Sequence, residues 1–295
     1  AFAAAQVLAA SAIVSPRPAL VLFSFENIDL ALPWYRKWIE RKSLAAAAAI
    51  IAGGESSRAR LLGRGADPAR MSVLPQFGLD IKAFRPPAGG ETGETGETGG
   101  EFTVGFIGRL VRQKGIDILI RALADLGGGW RAIIIGEGPE RAALESLARS
   151  SGAGERIEFA GWVDHFEVPK MIRRMHALVL PSRSTSTSTE QFGHVLIEAM
   201  SSGAIPVGSD SGEIPGVIGS EGFVFPEGDA GALAGILRKL QGDPGLRRRL
   251  AEAGRARAVR EYGWEAFAGR TEAIYDRVLA PGAAAPGSKD SGGGE

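Results

Sequence analysis

Two carboxylates frame the stretch of this chain with the most chemical content: Glu190-Gln-Phe-Gly-His-Val-Leu-Ile-Glu198-Ala-Met-Ser-Ser-Gly203-Ala-Ile-Pro206-Val. Phe192 and Gly193 lie where a helix should begin, between the two acids. The free N–H groups of a first helical turn point at an anion or a sugar hydroxyl, and the helix dipole assists. Gly193 would let a ligand approach closely. The bland alternative is a capping Glu and a surface Glu. A second stretch, Gly105-Phe-Ile-Gly108-Arg109-Leu-Val-Arg-Gln-Lys114-Gly115, runs from an apolar strand into a loop with Arg109 and Lys114 five apart. Two cations at a strand's carboxyl end suit a diphosphate, Arg as a fork and Lys as a point charge. A third stretch, Gly136-Glu-Gly138-Pro139-Glu-Arg141, places Arg where a dinucleotide fingerprint has its third glycine. It is therefore read as a tight turn beside the cleft and not as a nicotinamide or flavin site.

Absences narrow the chemistry. The 295 residues contain no Cys and three His, so thiolate metal sites, disulfides, a Cys nucleophile and a multi-His metal site fall away. There is no phosphate loop of the Gly-x-x-x-x-Gly-Lys type, no nucleophile elbow and no Asp-x-Asp pair to hold a divalent metal. Lys plus Arg and Asp plus Glu both number 34, so no global field collects nucleic acid. A composition of 44% hydrophobic and 23% charged residues is that of a folded globular chain.

The elements that must position these residues alternate. Apolar runs at Val104–Ile107, Ala132–Ile135, Ile157–Phe159, Ala177–Leu180, Ile205–Val207 and Phe223–Phe225 are continuous, as in parallel strands buried on both faces. Helical patterns fall near 115–126, 139–150, 166–176, 193–202, 230–240, 244–261 and 264–279, with Pro139 and Pro169 placed for first turns. Strand–helix alternation predicts right-handed crossovers and a doubly wound parallel sheet, whose ligands bind beyond the carboxyl ends of the strands. Before residue 85 the same pattern is shorter: strands at Leu20–Phe23, Ala49–Ile51 and Ser72–Leu74, helices at Tyr35–Lys42 and Ser56–Leu62.

With these residues in hand, 102–279 resembles the nucleotide-binding half of a glycosyltransferase family 4 enzyme, a retaining transferase of GT-B fold. Glu190 to Glu198 matches that family's Glu-x7-Glu element, and Gly108-Arg109-Leu to Lys114-Gly115 matches its basic loop. Phe159-Ala-Gly-Trp-Val163 and Ser209-Asp-Ser-Gly-Glu-Ile-Pro215 fit its strand-end loops. Residues 15–85 resemble its first domain through Phe23-Ser-Phe-Glu-Asn27 and Val73-Leu-Pro with Gly78-Leu-Asp80. The resemblance implies an α/β fold of two Rossmann-like doubly wound domains, the first incomplete, and transfer of a sugar from a nucleoside-diphosphate donor to a glycan, lipid-linked or small-molecule acceptor in glycan biosynthesis.

It implies roles as well. Arg109 and Lys114, with Gly108 beside them, hold the diphosphate. Glu190 meets the transferred sugar, and Glu198 the ribose. Phe192, Gly193 and His194 offer backbone N–H groups, and Trp162 and Val163 border the base. No metal or other cofactor is expected. Many relatives carry a His where this chain reads Ser24-Phe-Glu26-Asn27, so Glu26 or Asn27 is the candidate first-domain site residue; Gly216 stands where relatives often have Glu. The rivals are a catalytically silent nucleotide-sugar-binding module and a phosphorylase or epimerase, the latter lacking a cofactor Lys or acid–base His here.

The expected division is 1–85 as an acceptor-side domain, 86–101 as a Gly/Glu/Thr linker loop, 102–279 as the donor domain and 280–295 as a disordered tail. The opening Ala1 to Val14 is too short to span a membrane and lacks a signal peptide's basic start; the reading is of a chain that begins in mid-protein. Leu32 to Lys42 reads as a basic, aromatic helix that either lies on an anionic membrane or packs its Trp residues on the first domain, the second being the expectation. A cytoplasmic protein, with the inner membrane face as the peripheral alternative, is expected.

Overall fold

The computed structural model describes residues 2–16, 18–29, 31–87 and 101–280. The expected linker and tail lie outside the described residues, apart from their ends. The chain divides into two compact units: Ala1–Gln76 with Phe267–Glu295, and Phe77–Ala266.

In the first unit the order is helix α1 (Phe2–Ile13), strand β1 (Leu20–Ser24), helix α2 (Trp34–Ala46), strand β2 (Ala47–Ala52), helix α3 (Glu55–Gly63) and strand β3 (Met71–Val73). The strands form a parallel sheet in the order β1-β2-β3, with Phe23 opposite Ile51 and Ile51 opposite Ser72. Side chains of successive strand residues point to opposite faces. Ile50 and Ala52 accordingly pack with Leu44 and Leu61, while Ala49 and Ile51 pack with Leu74 and Ile274. Ile274 comes from the C-terminal helix (Trp264–Leu279), whose Arg270 Nη2 donates to the Val73 carbonyl at 2.7 Å and Arg277 Nη2 to Ser72 Oγ at 3.0 Å. The sheet needs this helix on one face, so residues 267–279 go with the first unit, whereas the sequence places them with the donor domain.

The second unit contains strand β4 (Phe102–Ile107), helix α4 (Ile116–Ala124), β5 (Trp130–Ile135), α5 (Arg141–Ser150), β6 (Ile157–Gly161), α6 (Val168–Ile172), β7 (Ala177–Leu180), α7 (His194–Ser202), β8 (Ile205–Ser209), α8 (Ile214–Ile218), β9 (Phe223–Phe225), α9 (Ala230–Gly242) and α10 (Pro244–Arg257). All six strands are parallel, in the order β6-β5-β4-β7-β8-β9. Helices cover both faces and bury most of their apolar runs, whereas the edge strand β9 leaves Val224 exposed. Gly105 sits inside β4 because Met175 packs where its Cβ would be.

Residues 77–85 also belong to this unit. The Leu79 N–H donates to the Tyr262 carbonyl at 2.7 Å, and Arg255 donates to the carbonyls of Ile81 and Phe84 at 2.9 and 2.8 Å. Leu79 and Phe84 are buried in its core, which moves the boundary from 85 to 76. Other differences are local. Pro139 lies before the start of α5, α6 is one short turn, and α10 ends in a π turn at Ala258–Tyr262. Helix α8 was not anticipated, since Gly212 and Pro215 read as loop residues.

Candidate functional site

The sheet order places the switch point between β4 and β7: β5 and β6 continue to one side, β8 and β9 to the other. Loops leaving neighbouring strands there diverge and open a crevice. Loop 108–115 leaves β4, and loop 181–193 leaves β7. The backbone ties them together. The Arg183 N–H donates to the Gln113 carbonyl at 2.7 Å, and Arg183 Nη2 pairs with Asp117 Oδ2 at 2.8 Å. Gly115 holds a left-handed φ of 64°, and a Cβ there would overlap the Pro181 carbonyl. Only glycine fits.

Across this crevice the two predicted charges meet. Lys114 Nζ donates to Glu190 Oε2 at 2.7 Å, and Ser182 Oγ donates to the same oxygen at 2.7 Å. Ser182 is 3% exposed, and the buried Ser209 Oγ donates to its carbonyl at 2.6 Å. The Glu190 carbonyl accepts from the Glu213 N–H at 3.1 Å, where Gly212 lies against it. Sequence reading singled out neither Ser182 nor Glu213. A polar residue directly after the apolar run Ala177–Leu180-Pro181 was the available signal for Ser182.

Glu190 leads into α7, whose cap is Gly193 at φ 84° with no side-chain cap. Its first turn carries no acidic residue to satisfy the dipole. Phe192 is buried against Tyr262, and the His194 ring lies 4.8 Å from Phe192 and 5.3 Å from Phe77. Burial lowers the His194 pKa, against the pull of the Glu190 charge. Glu198 lies further along α7. Burial raises its carboxyl pKa, and the charge of His165 opposes this. No hydrogen bond reaches the Glu198 side chain among the described residues.

The remaining predicted residues are spread around this centre. Gly108 follows β4, and its N–H donates to the Ile135 carbonyl at 3.0 Å. The Arg109 guanidinium is exposed and makes no ion pair or hydrogen bond among the described residues. The Gly136–Gly138 turn braces this loop: the Leu110 N–H donates to the Glu137 carbonyl at 2.9 Å, and Cβ atoms on Gly136 and Gly138 would overlap the Gly108 and Leu110 carbonyls. Trp162, 73% exposed, and the half-buried Val163 follow β6, two strands from the switch point, in the loop that carries His165. In the first unit, exposed Glu26 lines a cavity of about 360 Å³ with Ser24, Arg36, Glu40 and Arg60, whereas Asn27 is half-buried outside that lining. Among the described residues no group of three or more His, Asp or Glu is arranged to hold a metal ion, and no helix is long and apolar enough to cross a membrane.

A Lys–carboxylate pair at the switch point, a helix start without a side-chain cap and an exposed Arg in the same loop are what the crevice presents. The family described as Glycosyl transferases group 1 matches residues 91–257, more than half of the chain. The chain belongs to that family. It is 29% identical over 254 residues to the alpha-D-kanosaminyltransferase of Streptomyces kanamyceticus, covering 82% of this chain and 64% of that one. Its structure is similar to sucrose-phosphate synthase from Thermosynechococcus elongatus (TM-score 0.70, 27% identity, 84% of this chain and 62% of that chain). It is also similar in fold to Anabaena Alr3699/HepE in complex with UDP (TM-score 0.76, 22% identity, 92% and 76% of the two chains). The α/β architecture with parallel sheets is that of the GT-B glycosyltransferases. The chain spans less than two thirds of the length of the curated relatives it matches.

Proposed function

We propose that this chain is the donor-binding part, with a portion of the acceptor side, of a retaining, metal-independent glycosyltransferase of family 4. The observation that carries the reading is the Lys114–Glu190 pair at the switch point, 2.7 Å long, with Arg109 unengaged nearby in sequence and the α7 N-terminus beginning three residues after Glu190. A donor diphosphate takes Lys114 and Arg109 as its counter-charges. Glu190 is then released toward the hydroxyls of the transferred sugar, and the N–H groups of Phe192, Gly193 and His194 face sugar and phosphate. Glu198 accepts from the ribose, and Trp162 and Val163 border the base.

Departure of the nucleoside diphosphate builds negative charge, which fixed cations and a helix N-terminus stabilise without reorganisation. Glu190 counters the positive charge developing on the sugar. The acceptor, a glycan or lipid-linked hydroxyl, attacks from the face the leaving group vacates, giving retention; Glu26 or Asn27 is the first-domain residue assigned to that side.

Calorimetry with UDP-, GDP- and ADP-sugars in EDTA tests this reading. UDP and UDP-glucose lead the panel because the fold neighbour HepE is bound to UDP. One member should bind, and Arg109→Ala should weaken that binding by about 1.5–3 kcal/mol, the scale of a charged hydrogen bond. Silence from folded protein across the panel, or binding that appears only with added divalent metal, overturns it.

A further inference from the structure

Helix α2 presents a face that nothing in the donor-site reading uses. Ile39, Ser43 and Leu44 are its buried residues. On the opposite side Trp34 is 80% exposed and Trp38 58% exposed, so the expected packing of these rings on the first domain does not occur. Trp34, Lys37, Trp38 and Arg41 follow the i, i+3, i+4, i+7 spacing that forms one stripe on a helix. Lys42 Nζ lies 5.8 Å from the Trp38 ring centre.

The charge is as one-sided as the burial. Lys37, Arg41 and Lys42 lie on or beside the stripe, whereas Arg36 and Glu40 line the cavity on the other side of the helix. That carboxylate is turned away from the stripe: it is 19% exposed and pairs with Arg60 Nη2 at 2.8 Å. The outward face is therefore cationic on a chain whose net charge is zero. Helix α1, in contact with α2, has no charged residue, and Val7 and Ile13 are 53% and 87% exposed.

We infer that the Trp34–Lys37–Trp38–Arg41 stripe docks on the surface of an anionic phospholipid bilayer. Indole rings favour the headgroup level, where the apolar body and the polar N–H are both accommodated. Lys and Arg interleaved with them complement anionic headgroups and release on added salt. This inference is independent of the donor site, and its test requires no nucleotide.

Flotation of the full chain with phosphatidylcholine vesicles, with and without phosphatidylglycerol, reads it directly. The chain should float with the phosphatidylglycerol vesicles only, and less as salt rises. Trp34→Ala with Trp38→Ala, and separately Lys37→Glu with Arg41→Glu, should each lower the bound fraction about tenfold. Both pairs lie on an exposed face, so the melting temperature should stay near the parent value and certify the fold. No flotation, equal flotation with both vesicle types, or flotation untouched by both variants overturns the inference. Self-association lost in the Trp variant, without vesicle binding, overturns it in favour of a second copy of this chain.

Discussion

At the scale of single residues, the crevice at the switch point pairs charges from two loops. Lys114 and Glu190 were assigned from sequence to different parts of a donor, yet they are bonded to each other at 2.7 Å. Residue types and spacing identified both, but a bond between positions 76 apart exists only once the sheet order sets β4 beside β7. Ser182 was invisible for the same reason. Ser182 Oγ, a buried hydroxyl, donates to Glu190 Oε2; in the proposed donor complex it is the bond that orients Glu190 toward the sugar once the diphosphate takes Lys114. Ser182→Ala should therefore lower donor turnover about tenfold, roughly 1.4 kcal/mol in barrier, with the affinity for free nucleoside diphosphate unchanged. In a Glu190→Gln background the same change should add almost nothing, because residues acting through one group are non-additive. Steady-state kinetics on the four proteins measures this; full additivity would break the link.

At the scale of elements, strands were the most legible feature and helix ends the least. Ala177–Leu180 matches its apolar run because a parallel strand covered on both faces has no reason to alternate. The five-residue α8 escaped, since one turn leaves no periodicity to read, and α6 is shorter than its predicted span of 166–176. Glycines divide by setting. Gly115 joins the two site loops with its φ of 64° and its contact with the Pro181 carbonyl, so Gly115→Ala should cost at least ~2 kcal/mol through backbone strain and overlap. Gly235 lies exposed within α9 with open space around it, so Gly235→Ala should stabilise by about 0.5–1 kcal/mol. Denaturant midpoints of the two variants check both signs; a stable Gly115→Ala protein would mean the loops are not held as described.

At the scale of the whole molecule, acid stability is set partly at the opposite end of the sheet. His176 Nδ1 accepts from the Thr103 N–H at 2.9 Å, while the His176 backbone N–H donates to the Thr103 carbonyl and the His176 carbonyl accepts from the Ile205 N–H. Burial, and the neighbouring Arg247 charge, push its pKa from 6.5 down to about 4. The unfolded chain thus binds a proton that the folded chain refuses between those values. Stability from this group is complete above pH 6.5 and declines as pH falls toward 4, by up to about 3 kcal/mol before solvent screening reduces it. Thermal unfolding between pH 7.5 and 4 should show a shallower decline for His176→Gln than for the parent; parallel curves would refute the assignment. The division into units was the part of the fold least available to sequence reading, because composition marks a linker but not which sheet face a distant helix will cover. The first unit takes its covering helix from residues that follow the second unit, through Ile274 beside Ala49 and Ile51. Synthesis therefore delivers the three strands of the first unit before the helix that covers one face of their sheet. Phe77–Ala266, with a sheet and helices of its own, is made in between, so the β1–β3 sheet keeps that face bare until residues 267–279 have followed.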